Sequence, residues 1–150
     1  MLIIVRHGEA EPKRDSDRER KLTEEGVNQA RRAGKFLKLR GFKASYVATS
    51  PYVRAVQTAK EIAGQLGVEV KEWEELEPNR DFRELARKLG EVKEDLVLVG
   101  HEPFLSSLIK EMTGGEVKLG TGGVAIVDRR EGRWVLVELL SQDTLKLLIP

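Results

Sequence analysis

The run Met1-Leu2-Ile3-Ile4-Val5-Arg6-His7-Gly8-Glu9-Ala10 decides how the chain is laid out. Leu2 to Val5 is unbroken and apolar with β-branched members, the pattern of a short strand buried on both faces of a sheet. It stops abruptly at Arg6-His7-Gly8. In an open α/β sheet, ligands bind beyond the carboxyl ends of parallel strands, which is where this triplet falls. Arginine offers phosphate a planar fork of donors, and an imidazole can serve as nucleophile, base or donor. Gly8 lets the backbone turn sharply and come close to a ligand. Taken alone, the triplet fits equally well a strand-end histidine satisfied by a carbonyl.

The chain has 150 residues, enough for one domain, 1–150, with a substantial core. Basic and acidic residues number 26 and 25 and are interleaved, so neither a nucleic-acid partner nor another polyelectrolyte is implied. Cysteine is absent, which excludes disulfides, thiolate metal sites and cysteine-dependent phosphatase chemistry. Only two histidines occur, His7 and His101, which argues against a histidine-rich metal centre. The first apolar run meets Arg6 too soon to be a signal peptide, and no run reaches membrane-spanning length. A cytoplasmic protein without membrane attachment is expected. Charged residues make up 34% of the chain while Asn and Gln are scarce, the balance found in hyperthermophile proteins, so thermostability is expected.

Residues 9–21 carry no apolar periodicity and are expected as a solvated loop at the rim of the first strand, from which Arg18 or Arg20 can reach inward. Thr23 is a good N-cap, followed by Glu24 and Glu25 in a first turn whose dipole favours them. Val27, Ala30, Ala33, Phe36 and Leu37 make the apolar stripe of that helix, which closes at Gly41. Tyr46 to Ala48 predicts a strand, and Ser50-Pro51 the N-cap and first residue of a helix running to Gly67. Arg54 then lies in a first turn, where cations are disfavoured and free backbone N–H groups attract an anion. A misplaced cation points to a ligand, or to a nearby acid that pairs with it.

Val68 to Trp73 alternates like a strand, Glu74 to Asp81 is an acidic loop, and Phe82 to Gly90 a short helix. Leu96 to Val99 repeats the opening theme and delivers Gly100-His101-Glu102-Pro103 at its end. A helix bearing Leu105, Leu108, Ile109 and Met112 follows, ending at Gly114. Val124 to Val127 and Trp134 to Leu139 predict an antiparallel hairpin about Arg130-Glu131-Gly132, and the last ten residues fit either helix or edge strand.

The β–α alternation predicts a mostly parallel sheet whose junctions bring Arg6, His7, Arg54 and His101 to one edge. Arginines, imidazoles and helix N-terminal amides gathered there describe a pocket for a phosphate dianion. No Walker loop and no magnesium-binding acidic cluster is present. Among the nucleophiles left, a histidine flanked by cations is poorly protonated and therefore reactive.

The ordered motifs Arg6-His7-Gly8-Glu9, Lys21-Leu22-Thr23-Glu24-Glu25-Gly26, Ser50-Pro51-Tyr52-Val53-Arg54-Ala55-Val56-Gln57-Thr58-Ala59 and Val99-Gly100-His101-Glu102-Pro103 span nearly the whole chain. Together they resemble the histidine phosphatase superfamily, and within it the small SixA-type phosphohistidine phosphatases. The resemblance implies a phosphoglycerate mutase-like, three-layer α/β/α sandwich and a metal- and cofactor-independent phosphatase. It implies His7 as nucleophile, with Arg6, Arg54 and His101 on the phosphoryl oxygens, and Gly8 and Arg20 adding substrate contacts. A histidine-phosphorylated protein or a small phosphorylated compound is the implied substrate, and a monomer the expected state. Larger members carry lid insertions and an acid that protonates an ester leaving group. This chain has no room for a large lid, and its acidic loop offers only Glu75, Glu77 and Asp81. A phosphohistidine phosphatase leads, followed by a small-molecule phosphomonoesterase and, further back, a mutase or a non-catalytic phosphate-binding module.

Overall fold

The computed structural model describes residues 1–13 and 15–150. Six strands form one sheet in the order β3-β2-β4-β1-β5-β6. They are β1 (Leu2–Arg6), β2 (Val47–Thr49), β3 (Val70–Glu72), β4 (Leu96–Gly100), β5 (Val124–Arg130) and β6 (Arg133–Leu140). β1 to β4 are mutually parallel, while β5 and β6 close one side antiparallel. Five helices accompany them: α1 (Glu24–Leu39), α2 (Val53–Leu66), α3 (Phe82–Gly90), α4 (Phe104–Thr113) and α5 (Gln142–Leu148).

Because side chains alternate across a strand, β1 feeds two cores at once. Ile3 and Val5 pack with Ala33 and Leu37 of α1, Ala55, Ala59 and Ile62 of α2 and Leu145 of α5. Leu2 and Ile4 pack with Leu85 and Leu89 of α3 and Leu105, Leu108 and Ile109 of α4. The result is the three-layer α/β/α sandwich expected. All four apolar residues of β1 are at most 1% exposed. Burial of that completeness is worth about 1.5–3 kcal/mol per side chain, which fixes the strand that carries Arg6 and His7.

β1 and β4 pair in register, Val5 with Val99 and Arg6 with Gly100. One further bond, from the His7 amide to the Gly100 carbonyl at 3.0 Å, carries the ladder past the strand ends. His7 and His101 thus emerge side by side. The hairpin turns at Glu131 and Gly132, both at positive φ (54° and 75°), as a two-residue turn matched to strand twist requires.

Several local expectations are revised. The chain end is helical, capped by the Ser141 hydroxyl on the Thr144 amide. The acidic loop holds a 3₁₀ turn (Glu74–Leu76) with Leu76 buried, and Asp81 caps α3 through the Arg83 amide. Gly90 lies within α3, with Glu91 as its C-cap. α2 begins at Val53 with Tyr52 as N-cap, because Ser50 is drawn elsewhere. The described residues of 9–21 form the mostly exposed loop expected, pinned at its ends: Ala10 bridges Leu22, and the Glu11 amide donates to the Lys21 carbonyl at 2.8 Å.

Gly8 is needed for a reason other than a sharp turn. A β-carbon there would lie 2.4 Å from the Gly26 carbonyl oxygen, and one at Gly26 would lie 2.0 Å from the Glu9 carbonyl oxygen. The end of β1 and the first turn of α1 are in backbone contact.

Candidate active site

His7 is 6% exposed, and its Nδ1 lies 2.7 Å from the Gly8 carbonyl oxygen. A carbonyl only accepts, so Nδ1 carries the proton and the Nε2 lone pair is left outward. Arg54, 5% exposed, donates from Nε to that Nε2 at 3.3 Å. Its two remaining nitrogens are held by one residue: Nη1 by the Asp17 carbonyl at 2.7 Å and Nη2 by the Asp17 carboxylate at 3.2 Å. Arg20 donates to the other Asp17 oxygen at 3.1 Å and to the Glu11 carbonyl at 2.7 Å.

On the far side, His101 is 2% exposed and its ring centroid is 5.3 Å from that of His7. Its Nε2 meets the Ser50 hydroxyl at 2.8 Å, while its Nδ1 is buried with no partner among the described residues. Arg6 donates from Nη1 to the Leu119 carbonyl at 2.9 Å, and its Nε is likewise buried and unpartnered. Tyr52 closes the wall, its ring edge-on to His101 at 5.1 Å and beneath the guanidinium groups of Arg54 and Arg18.

Electrostatics follow from this enclosure. The His7 imidazole is pushed down to about 4, first by burial and then by Arg54, Arg6 and Arg20, against the opposing Gly8 carbonyl. His101 is pushed down to about 3, again by burial first, with His7, Arg54 and Arg6 adding to it. The expectation named the flanking cations as the cause; exclusion of water is the larger one. Partial burial pushes the Asp17 carboxyl up, but its bonds and charge contacts with Arg20 and Arg54 outweigh this and hold it below the usual range. Both imidazoles are neutral at ordinary pH beside an ionised carboxylate and three arginines.

The structure brings Arg6, His7, Arg54 and His101 together at the β1/β4 edge, with Arg20 joined to them through Asp17. Gly8 belongs to the site by shape. Its amide donates to Thr58 Oγ1 at 3.0 Å and its carbonyl holds His7, so neither group is turned to a ligand. The helix amides do not take part as expected. Val53 donates to the Arg18 carbonyl at 3.0 Å, Tyr52 to the Ser50 hydroxyl at 3.2 Å, and Ser106 to the Glu102 carboxylate at 2.7 Å.

The three candidate acids separate. Glu75 pairs with Lys88 at 3.2 Å and Asp81 is a helix cap. Only Glu77 approaches the mouth, held at 3.2 Å by Arg18, which rests on Tyr52. Asp17, Ser50, Tyr52 and Thr58 were not singled out from the sequence. Ser50, Tyr52 and Thr58 at least stand in the motif that carries Arg54, whereas Asp17 is one charge among many. Among the described residues no cluster of three or more His, Asp or Glu could hold a metal ion, and no helix is long and apolar enough to cross a membrane.

The sequence profile of the histidine phosphatase superfamily (branch 1) matches residues 2–85. The phosphohistidine phosphatase SixA homolog of Haemophilus influenzae is 29% identical over 126 residues, covering 75% of this chain and 77% of that protein. The 2,3-bisphosphoglycerate-dependent phosphoglycerate mutase of Xanthobacter autotrophicus is 40% identical over 77 residues, 46% of this chain. That match spans only 35% of the mutase. Among solved structures, the protein histidine phosphatase SixA complexed with tungstate superposes with a TM-score of 0.90 at 27% identity, covering 96% of this chain and 98% of that one.

Proposed function

The chain belongs to the histidine phosphatase superfamily, and on that premise we propose that it removes phosphate from a histidine-phosphorylated protein. One observation carries the reading: the unprotonated Nε2 of His7, in contact with Arg54, lies in a buried set of polar groups, two of which, Arg6 Nε and His101 Nδ1, have no partner among the described residues. Buried donors left unmet are costly, and a phosphoryl group supplies the acceptors.

In this reading His7 Nε2 attacks phosphorus as the substrate's N–P bond breaks, and the phosphoryl group passes to His7. Water then attacks the phosphorus, the His7 N–P bond breaks, and inorganic phosphate leaves. Arg6, Arg54 and His101 hold the equatorial oxygens through both steps, and the stabilisation of that charge is the main catalytic contribution. Arg20 acts from farther out, through Asp17. Metal-free action, a cytoplasmic setting, a monomeric state and thermostability belong to the same proposal.

A small-molecule phosphomonoesterase is the second reading, favoured by the likeness of 46% of the chain to the mutase. Incubation of the purified protein with a phosphorylated histidine-containing domain, beside a panel of sugar phosphates, separates the two. Faster release from the phosphoprotein supports the first, and release confined to the sugars supports the second. Phosphate binding without release in either arm would mean a binding module.

A further inference from the structure

The Ser50 hydroxyl has no role in the scheme above, yet its surroundings fix the direction of its hydrogen. Ser50 is fully buried. Its oxygen accepts from the Tyr52 amide at 3.2 Å, and the one acceptor within reach of its proton is His101 Nε2 at 2.8 Å. Were Nε2 to carry the ring proton, it would donate to the serine, leaving both the serine proton and the bare Nδ1 without a partner among the described residues, whereas the opposite assignment leaves only the Nδ1 proton unmet. Buried polar groups are rarely left unmet. The hydroxyl therefore donates to Nε2, and the neutral ring holds its proton on Nδ1. That atom is the one buried without a partner among the described residues, on the ring 5.3 Å from the nucleophile's.

We propose that Ser50 is a positioning residue that locks His101 in its Nδ1–H tautomer, so that an uncharged imidazole presents a donor to the phosphoryl oxygen. The inference rests on the phosphatase reading for its consequence, though not for the tautomer itself. It also explains why Ser50-Pro51 does not cap α2: the hydroxyl is committed to the second histidine. A neutral donor suits a two-step transfer. It binds the phosphoryl group without adding a charge that would tighten the product, and its N–H is too weakly acidic to be lost to the leaving group.

The test uses the full chain, uniformly labelled with ¹⁵N, whose only two imidazoles resolve without ambiguity. Long-range ¹H–¹⁵N correlation should show His101 as the Nδ1–H tautomer in the unaltered protein, and tungstate should shift that proton. In Ser50→Ala the ring should pass to Nε2–H or a mixture. Hydrolysis of p-nitrophenyl phosphate should fall about tenfold or more, as when one donor to a developing charge is removed. Ser50→Thr, which keeps the hydroxyl, should restore both the tautomer and most of the rate. An Nε2–H tautomer in the unaltered protein overturns the proposal without any variant. So does a Ser50→Ala protein that keeps both Nδ1–H and full activity. An Nδ1–H ring in a protein that hydrolyses nothing would instead sink the phosphatase reading and leave the tautomer assignment standing.

Discussion

Arg54 Nε lies 3.3 Å from His7 Nε2 and donates to the lone pair that would attack phosphorus. The contact makes the nucleophile and its principal anion-binding partner one unit. An arriving phosphoryl group must enter between them, taking the arginine's proton as acceptor while it takes the histidine's lone pair as electrophile. Asp17 holds the other two nitrogens of Arg54, so the arginine keeps its aim while this exchange occurs.

Protonation of His7 is the first quantity to measure. With the imidazole pushed down to about 4, an NMR titration should find Nε2 unprotonated throughout the neutral range and charging only near pH 4. The same depression predicts a loss of stability in acid. An unfolded histidine titrates near 6.5, so the unfolded chain binds the extra proton first as pH falls. Stability contributed by a neutral buried His7 is present above about 6.5 and is lost as pH drops towards 4, by roughly 3 kcal/mol. Chemical unfolding at pH 7 and pH 4.5, in the unaltered protein and in His7→Asn, measures it; equal acid sensitivity in both would place the effect elsewhere.

Arg54→Ala should remove most of the activity, since a charge-assisted bond to a dianion is worth about 1.5–3 kcal/mol, or roughly ten- to a hundredfold. Asp17→Asn should lower kcat by less, because the Asp17 carbonyl still holds Nη1. Arg20→Ala should do least, its side chain being 26% exposed and one contact removed from Arg54. Steady-state kinetics on p-nitrophenyl phosphate rank the three, and Arg20 ahead of Arg54 would reverse the assignment.

Leaving-group chemistry discriminates the substrates. A departing imidazole has an ordinary pKa of about 6.5 and needs little help, whereas an alkoxide, nearer about 15.7, needs a positioned acid. Phosphohistidine should turn over fast, p-nitrophenyl phosphate measurably, and alkyl phosphates poorly. Glu77→Gln and Asp81→Asn should leave phosphohistidine cleavage nearly unchanged, the first because Glu77 is paired to Arg18 and the second because asparagine also caps a helix. Brisk alkyl ester hydrolysis that collapses in Glu77→Gln would move the assignment to a small-molecule phosphatase.

Gly26→Ala tests the contact beneath the site. Its β-carbon would meet the Glu9 carbonyl oxygen at 2.0 Å, so β1 and α1 must part. The substitution improves helix propensity by about 1 kcal/mol, so any net loss of stability is a lower bound on the clash. Denaturant unfolding should show that loss, together with reduced activity, since Gly26 reaches the site through its backbone contact with Gly8.

Thermal unfolding should begin well above the mesophile range of about 45–65 °C. Surface ion pairs contribute little individually at room temperature, but networks gain value on heating. Among the described residues two are seen: Arg54–Asp17–Arg20, and the amino terminus with Asp95, Asp128 and Arg130. A melt inside the mesophile range would count against it.

What was legible in the sequence is what local chemistry writes down. β1 and β4 are unbroken apolar runs ending in Arg6-His7 and Gly100-His101, so both position and edge followed from pattern. Asp17 was not legible, because its meaning lies in a contact with Arg54 37 positions away, and a charge run carries no period to single it out. Ser50 was misassigned because a serine before proline has a local use as a cap, and only the folded sheet reveals the histidine beside it. Three of the junction amides were over-counted as well: the Val53 amide is taken by the Arg18 carbonyl from a distant segment, and the Tyr52 and Ser106 amides by the nearby Ser50 and Glu102 side chains.

The pairing of Arg6 with Gly100 has a temporal meaning. Of the two imidazoles, one is synthesised 94 residues before the other. Their spacing is inherited from the separation of two neighbouring strands, roughly 4.8 Å, so neither loop dynamics nor side-chain search can create it earlier. A nascent chain still lacking β4 carries the nucleophile without the opposite wall. The enzyme therefore has no partially competent forerunner on the ribosome, and recovery of activity during refolding is a clock for the docking of β4 onto β1.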